Sequence, residues 1–410
     1  MKRIPTPLIS PDSLRSTTLT RFILLYAAMY AAFGVASPFL PAFISARGLP
    51  PEQLGLVLGA GTAVRLLTAP LAGRIGDLIQ ALRVVLVVCT ALAASVTLGY
   101  LAAHGFWILL GVSLLHAASL APITILADAL ALGSASPPPS SGRRSFEYGW
   151  VRGTGSGAFI VGTLLSGQAV SAFGLDVIVW LQALLLGVAA FAAILVPELI
   201  HDRTAQAVRA PARGVLVLLR LPLFRNLVLV AALILGSHAM HDAFAVIRWS
   251  AAGISPATAS LLWSESVAAE VLVFFVIGPA LVARLTPAGA LAIAALAGML
   301  RWAVMAQTTD VMALALVQPL HGITFALLHL ACMCLIARTV PQGLEGTAQA
   351  IYGTVGIGAA TALLTVVSGA LYARLGAQGF WVMAALCALA LPLTWKLRQP
   401  VFGESRKLRT

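Results

Sequence analysis

The sequence predicts an all-α membrane protein: twelve transmembrane helices in two pseudo-symmetric six-helix bundles, with both termini cytoplasmic. Three observations carry that prediction. Hydrophobic residues make up 60% of the 410 and charged residues only 10%, with a mean hydropathy of +0.96. An ordinary soluble domain carries about 25% charged residues and has no core large enough for so much apolar sequence. Apolar runs long enough to cross a hydrocarbon core of ~30 Å recur along the chain, and the two halves of the chain repeat one another. The formal net charge of +12 would suggest nucleic acid in a soluble protein. Here the basic residues sit in short segments between apolar runs, which is a topology pattern instead, so no nucleic-acid partner is expected.

Residues 1–21 are polar and carry Lys2, Arg3, Arg15 and Arg21. The following run, 22–43, is longer than a signal-peptide core, contains Pro38, lacks a small-x-small cleavage site and leads into further spans, so it reads as the first helix. Cutting at Gly, Pro and charge clusters places the first six spans at 22–44, 53–73, 83–103, 106–131, 149–172 and 177–197. The second six fall at 224–248, 257–283, 287–306, 311–338, 346–373 and 379–397. The expected domains are therefore a cytoplasmic segment (1–21), an N-terminal bundle (22–197), a cytoplasmic linker (198–223), a C-terminal bundle (224–397) and a cytoplasmic tail (398–410).

Orientation follows from lysine and arginine. With both termini inside, cytoplasmic segments hold 20 of the 26 basic residues, including Arg74 and Arg83, Arg143 and Arg144, the arginines of the linker, Arg284 and Arg338. Outer segments hold only Arg47, Arg248 and Arg374. That bias assigns the topology, and it leaves Arg65, Arg152 and Arg301 inside spans. Trp107, Trp180, Trp249, Trp302 and Trp381 then fall near the outer interface as an aromatic belt. The four cysteines (Cys89, Cys332, Cys334, Cys387) lie in apolar runs without zinc or disulfide spacing and read as packing residues.

The repeat shows in matched segments. SARGLPPEQ from Ser45 parallels SAAGISPAT from Ser250 at an offset of 205, where Gly73 also meets Gly278 and His116 meets His321. SGQAVSAFGLDVIVWLQAL from Ser166 parallels SGALYARLGAQGFWVMAAL from Ser368 at an offset of 202.

The run 257–283 carries Glu265 and Glu270, and an ionised carboxylate near mid-membrane costs about 2.5 kcal/mol or more, so neither is expected to face lipid. The offset of 205 puts Arg65 in register with Glu270. Equivalent mid-helix positions of parallel repeats are expected to face one cavity, which gives two layers: Glu270, His321 and Arg65 at the midplane, and Glu265 with Arg301 above them. Arginine holds an anion but does not release its proton, whereas glutamate in an apolar cavity and histidine both titrate near neutrality. Glu270, His321 and Glu265 are thus the expected proton-coupling residues, and Arg65, Arg301, His116, Tyr30 and His238 the expected substrate-binding residues. Glu265–Arg301 reads equally as a structural ion pair between helices.

Other polar positions have less specific readings. His238, His241 and Asp242 share a helix face as a polar cavity wall, with no further ligand for a metal. Asp128 and Arg152 are expected to pair near an inner gate, or else to be solvated separately. His329 reads mainly as a hydrogen bond to a neighbouring helix. Tyr26, Tyr30, Phe33 and Phe39 could line an aromatic pocket or simply pack.

Several stretches resemble the phenylpropionate permease family of the major facilitator superfamily. They are ADAL (from Ala127), YGWVRGTGS (from Tyr148), SAAGISPATASLLWSESVAAEV (from Ser250), RWAVMAQTT (from Arg301), HGITFALLHLACM (from His321), AQAIYG (from Ala348) and FWVMA (from Phe380). A parallel duplication of six-helix units is the architecture of that superfamily. The second half is similar, more loosely, to lactose-type proton symporters, which implies roles for Glu270, Arg301 and His321. The further acid expected three residues after the histidine is Thr324 here, with Phe325 beside it, which places coupling on Glu270 and His321. The superfamily's loop motif is degenerate: Gly73 and Asp77 fit, the latter as a gate residue, but Leu78 replaces a basic residue.

The expected protein is a multi-pass, monomeric transporter of a bacterial inner membrane that takes up a small organic anion with protons and needs no cofactor. The resemblance implies an aromatic acid such as 3-phenylpropionate. A proton-linked exporter of amphiphilic compounds, or a sugar or nucleoside symporter, is the alternative on the same fold. A membrane enzyme or sensor ranks last, because the sequence offers no nucleophile–base set and no soluble domain.

Overall fold

A computed structural model describes residues 11–135, 145–198 and 212–398, with side chains described from 18 and from 214 in the first and last stretches. Arg143 and Arg144, half of the expected linker and most of the expected tail lie outside the described residues. Helices account for nearly all of the rest, and there is no strand among the described residues.

In chain order the helices are α1 (Pro11–Ala36), α2 (Leu40–Ala46), α3 (Pro51–Ile79), α4 (Leu82–Ala102), α5 (Phe106–Ala135), α6 (Tyr148–Phe173) and α7 (Val177–Leu195). They continue with α8 (Ala212–Arg220), α9 (Pro222–Gly236), α10 (Ala239–Ala251), α11 (Pro256–Leu272) and α12 (Gly278–Gln307). The last five are α13 (Val311–Val317), α14 (Leu328–Thr339), α15 (Glu345–Ile351), α16 (Ala360–Leu375) and α17 (Phe380–Trp395). Three π-helical segments, Val273–Ile277, Gly322–Leu327 and Tyr352–Ala359, interrupt the later helices.

Ten continuous helical stretches among the described residues are long and apolar enough to cross a membrane. Two of these, Pro256–Gln307 and Glu345–Trp395, run for 52 and 51 residues. At 1.5 Å per residue each is about 78 Å long, more than twice a hydrocarbon core of ~30 Å. Each also contains a backbone break. Thr286, just before Pro287, has φ 62° and ψ 155°, and Gly376 has φ 54° at the start of a short 3-10 turn.

The two repeat offsets recur in the backbone. Gly48 and Gly253, 205 residues apart, both have left-handed φ (90° and 84°) at the end of a helix, ahead of a proline. Gly174 and Gly376, 202 apart, also end helices with positive φ, at 80° and 54°. A side chain is strained at such angles, so glycine ends a helix there cheaply.

Polarity is inverted relative to a soluble protein. Leu67, Leu78, Phe173, Phe275, Leu316 and many other large apolar side chains are exposed, while Thr90, Thr97, Thr163, Ser166 and Ser237 are buried. Four of these five hydroxyls donate to carbonyls three or four residues back, as Thr90 does to Leu86 and Thr97 to Ala93, both at 2.7 Å. That satisfies them without water.

By contacts the chain forms two compact units. The first comprises the described residues within Met1–Leu49, Ala63–Gln206 and Ser255–Leu261, and the second those within Pro50–Thr62, Ala207–Ile254 and Leu262–Thr410. In the first unit α1 packs on α6 and α7, and α4 on α5 and α7. Backbones at the α1–α6 crossing approach so closely that a Cβ on Gly34 would lie 2.1 Å from the Phe159 carbonyl oxygen, and one on Gly162 2.4 Å from that of Ala31. Small residues allow such approach where lipid supplies no hydrophobic drive between helices. Thr163 adds a 3.0 Å hydrogen bond to the Gly34 carbonyl. In the second unit α12 packs on α14 and α17, α10 on α16, and α9 on α17.

Gly162→Ala should therefore destabilise the protein by about 1–3 kcal/mol through overpacking. Gly157→Ala, on the same helix with no atom within 4 Å of the added Cβ, should be neutral. Thermal unfolding in detergent compares them, and equal melting temperatures would refute the tight α1–α6 crossing.

Candidate functional site

Each unit holds a polar cluster inside its membrane-spanning segments. In the second unit the centre is Arg301 of α12, which is completely buried (0% exposed). Its Nη2 donates to Gln318 Oε1 at 2.7 Å and faces His241 Nε2 at 3.4 Å, and its Nη1 faces His321 Nδ1 at 3.2 Å. Its guanidinium also lies 4.6 Å from the Trp302 ring centroid. On the far side of its ring, His321 Nε2 meets Glu270 Oε2 at 3.3 Å. His241 Nδ1 likewise meets Asp242 Oδ1 at 3.2 Å.

The local sequence explains how these groups converge. On α11, Trp263, Ser266 and Glu270 follow a helical i, i+3, i+7 spacing and share a face. Trp263 stacks on the His241 ring at 4.9 Å, and Ser266 donates to Gln318 Oε1 at 2.9 Å. Gly322, beside His321, lets the two helices touch: a Cβ there would lie 2.6 Å from the Ala269 carbonyl oxygen. One π-helical segment begins at Val273, just after Glu270, and another at Gly322, just after His321. Such widened turns occur mostly at functional sites. Behind His321, the buried His238 ring packs edge-on against Trp302 at 5.2 Å and lies 5.1 Å from the His321 ring. Its Nε2 has no partner among the described residues, and neither do Arg301 Nε and Gln318 Nε2.

The expected Glu265–Arg301 pair does not form. Glu265 is half-buried and makes no hydrogen bond or ion pair among the described residues, while Ser266 and Glu270 occupy the face turned toward Gln318 and His321. Adjacent helical positions differ by about 100°, so Glu265 points elsewhere. The two expected layers thus become one chain on this side, with Arg301 joined to His321 directly.

In the first unit, Tyr26, Tyr30 and Phe33 of α1 form an aromatic ladder with centroid spacings of 5.8 and 5.6 Å. Tyr26 and Tyr148 both donate to Asp128 Oδ1, Tyr148 at 2.7 Å. Arg152 of α6 donates to the Tyr30 hydroxyl and lies 5.1 Å from that ring's centroid. Gly155 makes room, since a Cβ there would lie 2.9 Å from Tyr30 Cδ2. The expected Asp128–Arg152 ion pair is replaced by these contacts: two tyrosines serve the carboxylate, and the arginine rests on a third.

The remaining expected residues are placed as follows. Arg65, on α3, is exposed. His116 is buried edge-on against Tyr100 at 5.3 Å, with its Nε2 unpartnered among the described residues. Asp77 is exposed near the end of α3, where its backbone carbonyl accepts from Gln80 at 2.7 Å. His329 bonds Tyr352 at 3.1 Å, the neighbouring-helix contact. Gln318, Ser266, Trp263 and Tyr148 escaped sequence reasoning. A lone Gln in an apolar span was the signal available for the first of these.

Comparison with known proteins identifies the family. The model of the MFS_1 like family matches residues 19–383. The chain is 35% identical over 391 residues to the probable 3-phenylpropionic acid transporter of Escherichia coli strain K12, covering 92% of this chain and 98% of that one. It is 23% identical to the maltose permease of Geobacillus stearothermophilus, over 94% and 97% of the two chains. Among solved structures, a point mutant of the nucleoside transporter NupG superposes with a TM-score of 0.81 at 16% identity, over 93% of this chain and 99% of that one. These are transporters rather than enzymes, and the chain belongs to the MFS_1 like family of multi-pass membrane transporters.

Proposed function

We propose that this protein is a proton-coupled uptake transporter for a small organic anion, an aromatic acid such as 3-phenylpropionate. It would work by alternating access through twelve spans of a bacterial cytoplasmic membrane, with both termini inside. The coupling ion is the proton, and no cofactor is needed. The observation that carries the reading is the chain Arg301–His321–Glu270, which joins a permanent cation to an ionisable carboxylate through an imidazole.

A guanidinium has no acceptor, so the His321 nitrogen facing Arg301 presents a lone pair and the other carries the proton toward Glu270. His321 thus links the cation to Glu270, the carboxylate assigned to gain and lose the proton. The completely buried Arg301 has its guanidinium occupied by Gln318 and the histidines. It is therefore assigned to positioning rather than to substrate. Recognition of the anion is assigned instead to the first unit, where the partly exposed Arg152 and the Tyr30–Phe33 ladder offer a cation beside aromatic faces. That combination suits a carboxylate carried on an aromatic ring. The 35% identity to a protein named for 3-phenylpropionic acid supports the same substrate class.

Glu270→Gln should reduce accumulation driven by a pH gradient in proteoliposomes while counterflow of labelled 3-phenylpropionate persists. Undiminished gradient-driven accumulation would remove Glu270 from coupling. Arg152→Ala should raise the KM for 3-phenylpropionate by roughly 10- to 100-fold, the worth of a charge-assisted hydrogen bond. Arg152→Lys should recover part of that loss, and an unchanged KM for Arg152→Ala would place recognition elsewhere.

A further inference from the structure

Arg301 has two histidine arms, one of which runs through His321 to Glu270. The second runs from Nη2 to His241 Nε2 at 3.4 Å, and from His241 Nδ1 to Asp242 Oδ1 at 3.2 Å. The same rule of donors applies on this side. The imidazole nitrogen facing the guanidinium must accept, so the other nitrogen carries the proton and donates to the carboxylate. The two arms are chemically alike: each is a carboxylate at the accessible end, a neutral imidazole in the middle and the shared cation at the buried end. Asp242 is 55% exposed and Glu270 26%, while Arg301 is closed off.

Among the described residues, the surroundings of the second arm hold no other cation paired with Asp242, which hydrogen-bonds only His241. The ring of His241 is enclosed by Trp249, Trp263 and Trp302, its charged neighbours are Arg301 and Asp242, and the His321 imidazole lies beyond Arg301. His238 faces Trp302 and His321, and Arg248, further along α10, donates to the Thr308 carbonyl at 3.2 Å. From α16, Tyr372 stacks on Phe244 at 4.5 Å. Asp242 lies in the span Pro222–Ala251, one turn past the break at Ser237 and His238. An ionised carboxylate there cannot face hydrocarbon cheaply and belongs on a wetted wall. With both carboxylates ionised, Arg301 balances only one of two negative charges, so the arrangement favours binding of at least one proton. Each arm has a carboxylate to receive it.

We propose that Asp242, held by His241, is a second proton-binding site that shares Arg301 with the Glu270–His321 arm, so that two protons accompany each monovalent organic anion and uptake carries net positive charge inward. The proposal deepens the proton-coupled reading above and rests on it for the transport arm of its test. Each proton adds to a carboxylate oxygen on one side of the membrane and leaves from the same oxygen on the other, with no other bond made or broken.

Two measurements test it. The first needs no substrate: infrared titration of the purified full chain, read in the carbonyl stretch of protonated carboxyl groups. Asp242→Asn should remove a titrating component distinct from the one removed by Glu270→Gln, and an unchanged titration curve in Asp242→Asn would overturn the proposal. The second uses proteoliposomes with 3-phenylpropionate as probe and a valinomycin-imposed potential. At equal pH, an inside-negative potential should drive accumulation by the wild-type protein. Asp242→Asn should abolish that response while pH-gradient accumulation remains, and Asp242→Glu should restore it. A wild-type protein that accumulates the probe with a pH gradient yet ignores the potential carries one proton, and the second site falls while the uptake reading survives. If 3-phenylpropionate shows neither accumulation nor counterflow, the uptake reading fails for that substrate, and the infrared titration alone decides Asp242.

Discussion

A single guanidinium, completely buried, constrains the whole second unit. Arginine keeps its charge at any accessible pH, so Arg301 must be answered by acceptors wherever the chain buries it. Removing one partner of a buried charge typically costs about 3–5 kcal/mol. Gln318, His321 and His241 provide the answer, and they come from two stretches of sequence, α10 and the segment 318–321. The identity of these acceptors matters more than their number. None is a carboxylate in direct contact, so the positive charge is relayed outward through imidazoles instead of being cancelled on the spot. Two carboxylates are thereby held near a cation without being locked to it, an arrangement suited to groups that must change protonation state.

The first unit solves a different problem with different residues. Its half-buried carboxylate, Asp128, is satisfied by two tyrosine hydroxyls, which leaves Arg152 without an acidic partner among the described residues and resting against Tyr30. A cation so placed has hydrogen-bonding capacity to offer a ligand, whereas one locked to Asp128 would not. The glycines at the α1–α6 crossing make this possible, because side chains there would push Tyr30 away from α6. Packing and recognition are therefore coupled at Gly155, and a change that merely adds volume at that position would disturb both.

Helix boundaries were legible because their causes are local. Proline, positive-φ glycine and runs of apolar residues act within a few positions, and the expected spans match the described helices to within several residues at most ends. The duplication was legible too, and its offsets reappear at Gly48 with Gly253 and Gly174 with Gly376. Pairing was less so. Glu265 and Ser266 are equally polar to a reader of the chain, and depth along the helix favours Glu265 as the partner of Arg301. Rotation about the helix axis decides otherwise, and rotation depends on which face α12 and the segment around His321 press against. The exchange of Asp128–Arg152 for tyrosine contacts has the same origin.

By itself, then, the sequence determined the membrane class, the helical segments, the internal repeat and the short set of ionisable residues whose burial demands an explanation. These follow from the one-dimensional costs of placing charge and free backbone groups in hydrocarbon. Only the tertiary structure decided which of those residues touch. Contacts between helices depend on azimuth and on approach distances set by single glycines, such as Gly322 against Ala269, and no periodicity along one helix encodes the face its partner presents.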